Sequence, residues 1–390
     1  MTTTVPVDRP FFRLSTPMLR RLHPLLVLLL TAMAPLTTSA QSLRVFIGTY
    51  TGTGSQGIYT TTFDLKKGTF SAPTTAAETP NPSFLDLSPD LKVLYAVNES
   101  PSGVRAFSIG ESGRLEPLGT PPEGAVGPCD VAVHPGGHMA VVANYGGGSV
   151  VAFPLKSDGS LGARSDLEQH TGKSVNAKRQ EAPHAHGVTF SRDGLHLVVP
   201  DLGIDRVKVY AVDAAKASLT PRPAADLSVE PGSGPRHAAF SRDGRQLYVI
   251  NELLSTITVA DFDARTGGLR ATQTLSTLPA GYSGLSTTAE IVVHPSDWYV
   301  YGSNRGHDSI AVFRRNPKTG ALTWVEVIPT GGKTPRNFAI TPDGAWLIAA
   351  NQDSDTLTVF AIDQASGRLR ASGHSLSLPR PVCVAFVARE

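Results

Sequence analysis

A repeated unit of 46 to 57 residues organises this chain and limits the folds it can adopt. Each unit holds a short apolar strand that ends in a polar residue, then a tight turn, then a second strand that ends in Asn or Asp. The polar residues are Ser88, His134, Ser191, Ser241, His294 and Thr341. Ten positions after each of them come Asn98, Asn144, Asp201, Asn251, Asn304 and Asn351. Self-similarity at such a period is the signature of a repeat architecture.

The two ends of the chain each carry half of a unit. Leu43–Tyr50 has the pattern of a second strand without a first, and Val382–Val387 that of a first strand without a second. Joined together, they complete a seventh unit. Four strands repeated radially form a β-propeller, and a shared closing blade removes the free sheet edges of the ring. The sequence therefore predicts an all-β, seven-bladed β-propeller in which one blade is closed by pairing of the N- and C-terminal strands.

The fifth unit shows the four strands of a blade most clearly. Short runs rich in Val, Ile, Tyr and Phe are separated by Asp-Gly, Thr-Gly and Gly-Gly turns. The predicted strands are Arg236–Phe240, Gln246–Ile250, Thr256–Phe262 and Arg270–Leu275. The recurrent Asn is predicted to be structural, because Asn suits a turn with left-handed backbone.

Residues 1–40 have the pattern of an export signal. A pair of arginines precedes the apolar run Leu25–Leu30, and Thr38-Ser39-Ala40 supplies the small residues of a cleavage site. The run is too short for a bilayer, which takes about 20 apolar residues. We expect a signal peptide over residues 1–40, a single propeller domain over 41–390, a periplasmic or secreted location, and no membrane span once the signal is removed.

The charge balance argues against a nucleic-acid partner. Lys and Arg total 35 and Asp and Glu total 33, for a net charge of +2 at pH 7. Binding to nucleic acid relies on a concentration of basic residues that such a balance does not indicate. The sequence makes no prediction about oligomeric state.

Positions at which the units differ are the candidates for function. Residues just before a first strand and just after a second strand should meet at one mouth of the central channel, where a ligand site is expected. Charged and imidazole side chains gather at this mouth in units four to seven. They are His184, His186, Arg236, His237, Glu252, Glu290, Arg305, His307 and Arg336. We expect a polar ligand site there rather than a merely solvated rim, and we expect the mouth to be wet, so that loss of Arg236 costs little stability.

These residue types suit the chemistry of a ring ester on a small acid. Arginines bind carboxylates or phosphates because the guanidinium fork matches their geometry. A glutamate can act as a general base toward water, aided by a histidine that titrates near neutrality. Arginine can also stabilise an oxyanion that forms at a carbonyl. Opening or closing a lactone fits this set.

The segment Pro183-His184-Ala185-His186 has the pattern of a metal-binding pair. In an extended strand His184 and His186 point the same way. Carboxylate companions are not evident in the sequence, so anion binding or catalysis by His186 is the favoured interpretation. No metal and no cofactor is predicted.

A family resemblance lies in the segments Ile47–Tyr50, Gly234–His237, Leu247–Leu253, Ala289–Ile291 and Ser303–Arg305. They resemble the seven-bladed propeller lactonases of the 6-phosphogluconolactonase type, grouped with the carboxy-cis,cis-muconate lactonizing enzyme as the cycloisomerase 2 family. The resemblance covers essentially the whole chain after residue 40. It implies a lactone hydrolase with a metal-free site at the channel mouth, whose catalytic residues are His186, Arg236, Glu252 and Arg305. The residues around them, expected to bind substrate, are His184, His237, Glu290, His307 and Arg336.

The resemblance leaves the lactone and the reaction direction open. The bacterial phosphogluconolactonase acts in the cytoplasm on a phosphorylated substrate, whereas this chain has the pattern of an exported protein, so an unphosphorylated aldonolactone is as plausible. Hydrolysis and cycloisomerisation both fit. The alternative is a non-catalytic exported propeller of the YVTN type that acts as a binding or scaffold protein, since Leu247–Asn251 is similar to its strand signature. A scaffold has no need for Arg236, Glu252 and Arg305 together.

Overall fold

The computed structural model describes residues 42–52 and 54–388. Across these residues the chain forms seven antiparallel sheets and two short 3-10 turns, at Pro223–Ala225 and Gln352–Ser354. None of the helical segments described is long and apolar enough to cross a membrane. The signal peptide predicted over residues 1–40 lies outside the described residues. The all-β, seven-bladed propeller predicted from the repeat is confirmed.

The strands of each blade follow one another along the chain. Blade 1 begins with β1 (Ser42–Thr49), β2 (Gly57–Asp64), β3 (Thr69–Phe70) and β4 (Thr74–Glu78). Blade 2 comprises β5 (Pro82–Leu87), β6 (Val93–Asn98), β7 (Gly103–Ile109) and β8 (Leu115–Leu118). Blade 3 comprises β9 (Pro128–Val133), β10 (Met139–Asn144), β11 (Ser149–Pro154) and β12 (Asp166–Gln169). Blade 4 comprises β13 (Thr189–Phe190), β14 (His196–Asp201), β15 (Arg206–Asp213), β16 (Ser218–Pro221) and β17 (Leu227–Ser228).

The last three blades each contain four strands. Blade 5 comprises β18 (Pro235–Phe240), β19 (Gln246–Asn251), β20 (Thr256–Asp263) and β21 (Gly268–Ser276). Blade 6 comprises β22 (Thr287–Val293), β23 (Tyr299–Arg305), β24 (Ser309–Arg315) and β25 (Leu322–Pro329). Blade 7 comprises β26 (Pro335–Ile340), β27 (Trp346–Asn351), β28 (Thr356–Ile362) and β29 (Leu369–Ser377). The final strand, β30 (Pro381–Ala388), returns to the sheet of blade 1.

Pairing of the two ends closes the ring. β30 runs antiparallel to β1, with Val45 opposite Phe386 and Ile47 opposite Val384. It also contacts β5 on one side and β26 on the other, so it occupies the innermost place of blade 1. The closure predicted from the two half units is therefore confirmed.

The core is divided into wedges between adjacent blades. The wedge between blades 5 and 6, for example, contains the buried residues Tyr248, Ile257, Ile291, Val300 and Phe313. Alternate side chains of each strand point into one wedge or the other, because successive residues of a strand face opposite sides of the sheet. This packing fixes the ends of the strands, from which the polar residues of interest emerge.

The recurrent asparagines tie the loops to the blades. Asn144 Nδ2 donates to the carbonyl of Gly124 at 3.2 Å, and Asn304 Nδ2 donates to the carbonyl of Thr277 at 3.0 Å. Both side chains are buried, and both residues end a strand. The structural role predicted for this position therefore stands, although its basis is side-chain hydrogen bonding rather than a left-handed turn. The residue that follows each asparagine therefore leaves the end of its strand at an equivalent position in each blade.

Candidate active site

A pocket of about 310 Å³ collects polar side chains from several blades. Its charged and hydrogen-bonding wall is formed by Glu99, Tyr145, Arg179, His186, Glu252, Arg305 and Arg336. Glu99, Tyr145, Glu252 and Arg305 each come one residue after the recurrent asparagine of their blade. The repeat therefore places them at equivalent points of the ring.

β-bulges position two arginines where the first strands begin. In blade 5, Pro235 pairs with Asn251 and His237 with Ile250, which leaves Arg236 as the extra residue. Blade 7 repeats this arrangement and leaves Arg336 as the extra residue. A bulge bends the strand and redirects the side chain that it carries. Both guanidinium groups are thereby turned out of the regular alternation of the strand.

Glu252 lies at the centre of an arginine cluster. Its Oε1 is 2.7 Å from Arg179 Nη2, and its Oε2 is 2.9 Å from Arg305 Nη2 and 3.2 Å from Arg236 Nε. Burial by itself raises the pKa of this carboxyl, but the three guanidinium groups outweigh burial and lower the pKa from 4.5 to about 2. Glu252 is therefore ionised throughout the physiological range, with cations on both oxygens.

The site is drier than the sequence suggests. Arg236 is 2% exposed and Glu252 is 3% exposed. The expectation that Arg236 lies at a wet mouth is therefore wrong, and the reason for expecting a small loss of stability no longer applies. A buried guanidinium next to a buried carboxylate depends on its partner, because removing one charge leaves the other uncompensated.

A series of hydrogen-bonded polar groups holds the Arg236 guanidinium in place. Its Nη1 donates to the carbonyl of Ala289 and lies 3.3 Å from His237 Nε2. His237 Nδ1 lies 3.1 Å from Glu290 Oε1, and Asn337 Nδ2 donates to Glu290 Oε2 at 2.8 Å. Burial lowers the pKa of His237, so a neutral ring can donate from Nδ1 and accept at Nε2. His237 and Glu290, expected from sequence to bind substrate, thus lie behind Arg236 and orient it.

His186 is a buried and neutral imidazole beside Glu252. Its Nε2 is 4.0 Å from Glu252 Oε2, and its Nδ1 is 3.7 Å from Cys129 Sγ. Burial, followed by the positive charge of Arg236, holds the pKa of His186 well below its usual 6.5. The ring therefore keeps one unprotonated nitrogen at neutral pH.

Arg336 and Glu99 form a second charged part of the pocket wall. The Arg336 guanidinium lies 5.4 Å from the centre of the Tyr50 ring, and its Nη2 is 3.6 Å from Glu99 Oε1. The Tyr50 hydroxyl donates to Glu99 Oε1 at 2.8 Å. Glu99 and Tyr50 were not among the predicted site residues. The sequence could have indicated them, because both occupy the same repeat position as Glu252 and Arg305.

The two remaining predicted histidines contact side chains other than Glu252. The ring of His184 stacks on Tyr145 with 4.4 Å between centres, and its Nε2 is 3.4 Å from Glu181 Oε1. His184 thus supports Tyr145, which lines the pocket. His307 Nδ1 is 2.7 Å from Ser309 Oγ and its ring packs edge-on against Tyr282. The structure brings His186, Arg236, Glu252, Arg305 and Arg336 together, whereas His184 and His307 pack on neighbouring side chains.

His184 and His186 were considered above as a metal-binding pair. Among the residues that the structure describes, no group of three or more His, Cys, Asp or Glu side chains is arranged to hold a metal ion. The two imidazoles turn to different partners, Glu181 for His184 and Glu252 for His186. What the cluster offers chemically is a dense positive charge that can bind an anion and polarise a carbonyl.

Known proteins with this architecture match the chain over most of its length. The family model described as lactonase, 7-bladed beta-propeller, matches residues 44–386. The 6-phosphogluconolactonase of Bacillus subtilis is 36% identical over 345 residues, which are 88% of this chain and 97% of that protein. The 6-phosphogluconolactonase of Formosa agariphila is 31% identical over 341 residues, 84% of this chain and 94% of that protein. The solved periplasmic gluconolactonase of Pseudomonas aeruginosa is 33% identical with a TM-score of 0.83, covering 89% of this chain and 99% of its own.

Proposed function

The chain belongs to the family of seven-bladed β-propeller lactonases, and on that premise we propose that it hydrolyses the lactone of a sugar acid in the pocket around Glu252. The observation that carries the proposal is the convergence of Arg236 and Arg305 with His186 on one buried carboxylate. We assign this pocket to the mouth of the central channel, because the ring positions that supply it recur at the ends of successive strands.

The charge of the pocket favours an acidic substrate. Among the described residues, the cluster brings together the guanidinium groups of Arg179, Arg236, Arg305 and Arg336 against the carboxylates of Glu99 and Glu252. The excess positive charge attracts an anion, and arginine binds carboxylate or phosphate oxygens through paired hydrogen bonds. The hydroxyacid released by opening a sugar lactone is such an anion.

We assign the stabilisation of the oxyanion of the reaction to the guanidinium groups of Arg236 and Arg305. Arg236 Nε and Arg305 Nε are buried and have no hydrogen-bond partner among the residues described. The 3.2 Å separation of Arg236 Nε from Glu252 Oε2 is thus an ion pair without a well-aimed hydrogen bond. Hydrogen-bond donors preorganised around a developing negative charge lower the barrier to acyl transfer. We propose that the lactone carbonyl oxygen becomes the acceptor for these groups.

His186 is better suited than Glu252 to accept the proton of the attacking water. A general base works best when its pKa lies near the working pH, and the pKa of Glu252 is about 2. An anionic substrate would offset the charges of Arg236 and Arg336, which together with burial depress the pKa of His186. Glu252, 4.0 Å away, would stabilise the imidazolium that forms. Glu252 therefore holds the arginines in place and supports His186.

This mechanism does not require a metal ion. The guanidinium groups of Arg236 and Arg305 supply at the carbonyl the positive charge that a Lewis acid would otherwise supply. Opening the ring consumes one water and gives the hydroxyacid, so the balance needs no redox cofactor. We propose a metal-independent and cofactor-independent lactonase.

A lactone panel tests this function. Purified protein that begins at Gln41 is expected to hydrolyse 6-phosphogluconolactone or gluconolactone, with a kcat/KM of about 10⁴ M⁻¹s⁻¹ or more, and muconolactone serves as a lactone without a sugar. Acid release followed in a pH-stat, against an enzyme-free blank for spontaneous opening, is the measurement. Rates equal to the blank for every lactone would reject the proposal and favour the scaffold alternative.

Export is the second part of the proposal. We expect residues 1–40 to be removed and the mature chain to begin near Gln41, because the basic pair, apolar run and small residues match a cleavable signal. The similarity to a protein described as a periplasmic gluconolactonase supports the same location. N-terminal sequencing of protein recovered from the periplasm or medium checks this. Recovery of cytoplasmic protein that retains residues 18–40 would contradict it.

A further inference from the structure

The loop between β12 and β13 brings Arg179 to the pocket. This loop occupies the longest interval of the repeat, the 57 residues from His134 to Ser191. Arg236, Arg305 and Arg336 come from positions that the repeat defines, whereas Arg179 comes from this extra length of chain. Segments inserted at a fixed site are common places for specificity to be set, because they vary without disturbing the scaffold.

The loop is anchored next to Arg179. The Gln180 side chain is buried, donates to the carbonyl of Leu202 at 2.9 Å and accepts from the backbone N–H of Asn176 at 3.1 Å. The Gln180 carbonyl accepts from the N–H of Ser174 at 2.9 Å. These bonds fix the backbone from which Arg179 extends, so its guanidinium is presented to the pocket at a defined place.

Arg179 is the most accessible of the four arginines in the cluster. Its side chain is 38% exposed, compared with 3% for Arg236, 15% for Arg305 and 19% for Arg336. Arg179 therefore stands at the entrance of the pocket, while Arg236 is almost fully buried beside Glu252. A group of the substrate that remains near solvent would meet Arg179 first.

The charge of Glu252 is already balanced without Arg179. Arg236 and Arg305 both lie at Glu252 Oε2, while Arg179 Nη2 contacts Oε1 at 2.7 Å and the Tyr145 hydroxyl at 3.4 Å. Three positive charges around one carboxylate leave an excess that an incoming anion can use. The neighbouring Lys178 is exposed and does not line the pocket.

Building on the proposed function, we propose that Arg179 binds a second anionic group of the substrate, remote from the lactone, and thereby selects charged sugar lactones over neutral ones. A phosphate monoester or a carboxylate suits the guanidinium fork. The anion replaces Glu252 Oε1 and the Tyr145 hydroxyl as acceptor of the Arg179 Nη2 hydrogens, and Glu252 keeps Arg236 and Arg305. Arg179 acts in binding, and the groups at the lactone carbonyl stay the same for both kinds of lactone.

Binding of two product acids that differ only in the phosphate tests the assignment. Calorimetric titration with 6-phosphogluconate and with gluconate would compare the wild type, Arg179→Gln, Arg179→Lys and Lys178→Gln. The last variant removes the same charge from an exposed neighbour in the same loop and is the matched control. Thermal unfolding of each variant shows that the proteins compared are folded.

The wild type is expected to bind the phosphorylated acid at least about tenfold more tightly, as a charged hydrogen bond to phosphate implies. Arg179→Gln should reduce this preference to about threefold or less, Arg179→Lys should retain part of it, and Lys178→Gln should keep it. A wild type without preference, or an Arg179→Gln variant that keeps the full preference, would overturn the assignment. Turnover is measured separately: a protein that shows the Arg179-dependent preference but hydrolyses neither lactone would reject the proposed function and leave the anion subsite standing.

Discussion

A chain that ends at Pro379 is expected to lose its cooperative thermal unfolding transition. The truncation removes β30 and with it the buried side chains of Val382, Val384 and Val387. At about 1.5–3 kcal/mol for each buried side chain, this costs roughly 4.5–9 kcal/mol. The whole stability of a typical domain is about 5–15 kcal/mol. The loss also exposes β1 as an open edge inside the ring.

The matched control is a chain that ends at Ala388, which keeps all of β30. It should melt like the full chain when both are followed by circular dichroism or calorimetry. If the chain that ends at Pro379 also melted within a few degrees of the full chain, closure would not be what holds the propeller together.

Replacing Glu252 with Gln should cause the largest loss of activity by a single substitution. The shape is kept, but three guanidinium groups lose the charge that positions them, and His186 loses the carboxylate beside it. We expect kcat/KM to fall by about 10²–10⁴. Stability should fall by as much as about 3–5 kcal/mol, because buried positive charges are left unpaired. Glu116→Gln, in an exposed pair with Arg114, should leave both properties near wild type.

The same substitution predicts a change in acid stability. The pKa of Glu252 is about 2 in the folded protein against an ordinary 4.5, so its ionised form favours the folded state. That contribution, about 3 kcal/mol, is complete above pH 4.5 and is lost as the pH falls toward 2. Urea unfolding at pH 5 and pH 3 should therefore show a smaller drop for Glu252→Gln than for the wild type. Equal drops in the two proteins would show that Glu252 is not held by the arginines as described.

The fold could be predicted because each unit repeats the same local pattern. The alternation of apolar residues fixes strand and register together, since a shift by one residue would turn every core side chain outward. In blade 5 the four predicted strands agree with the structure to within two residues at every end. The half units at Leu43 and Val387 were sufficient to predict the closing blade, which no propensity scale would reveal.

The site could be predicted only as far as the repeat extends. Equivalent positions brought Glu252, Arg305 and Arg336 to one pocket, as expected. Arg179 was missed because its loop lies outside the register, and no spacing rule places it. The burial of Arg236 was also missed, because its depth depends on a bulge and on how the blades pack around it.

Parallel turnover by wild type and Glu252→Gln tests whether the pocket around Glu252 performs the hydrolysis. Initial rates on the same lactone panel at one pH, with binding of the product acid measured on both proteins, separate chemistry from binding. We predict that the wild type opens at least one sugar lactone, and that the variant still binds the product acid but turns over about 10²–10⁴ times more slowly. Equal rates of hydrolysis by the two proteins would contradict the claim.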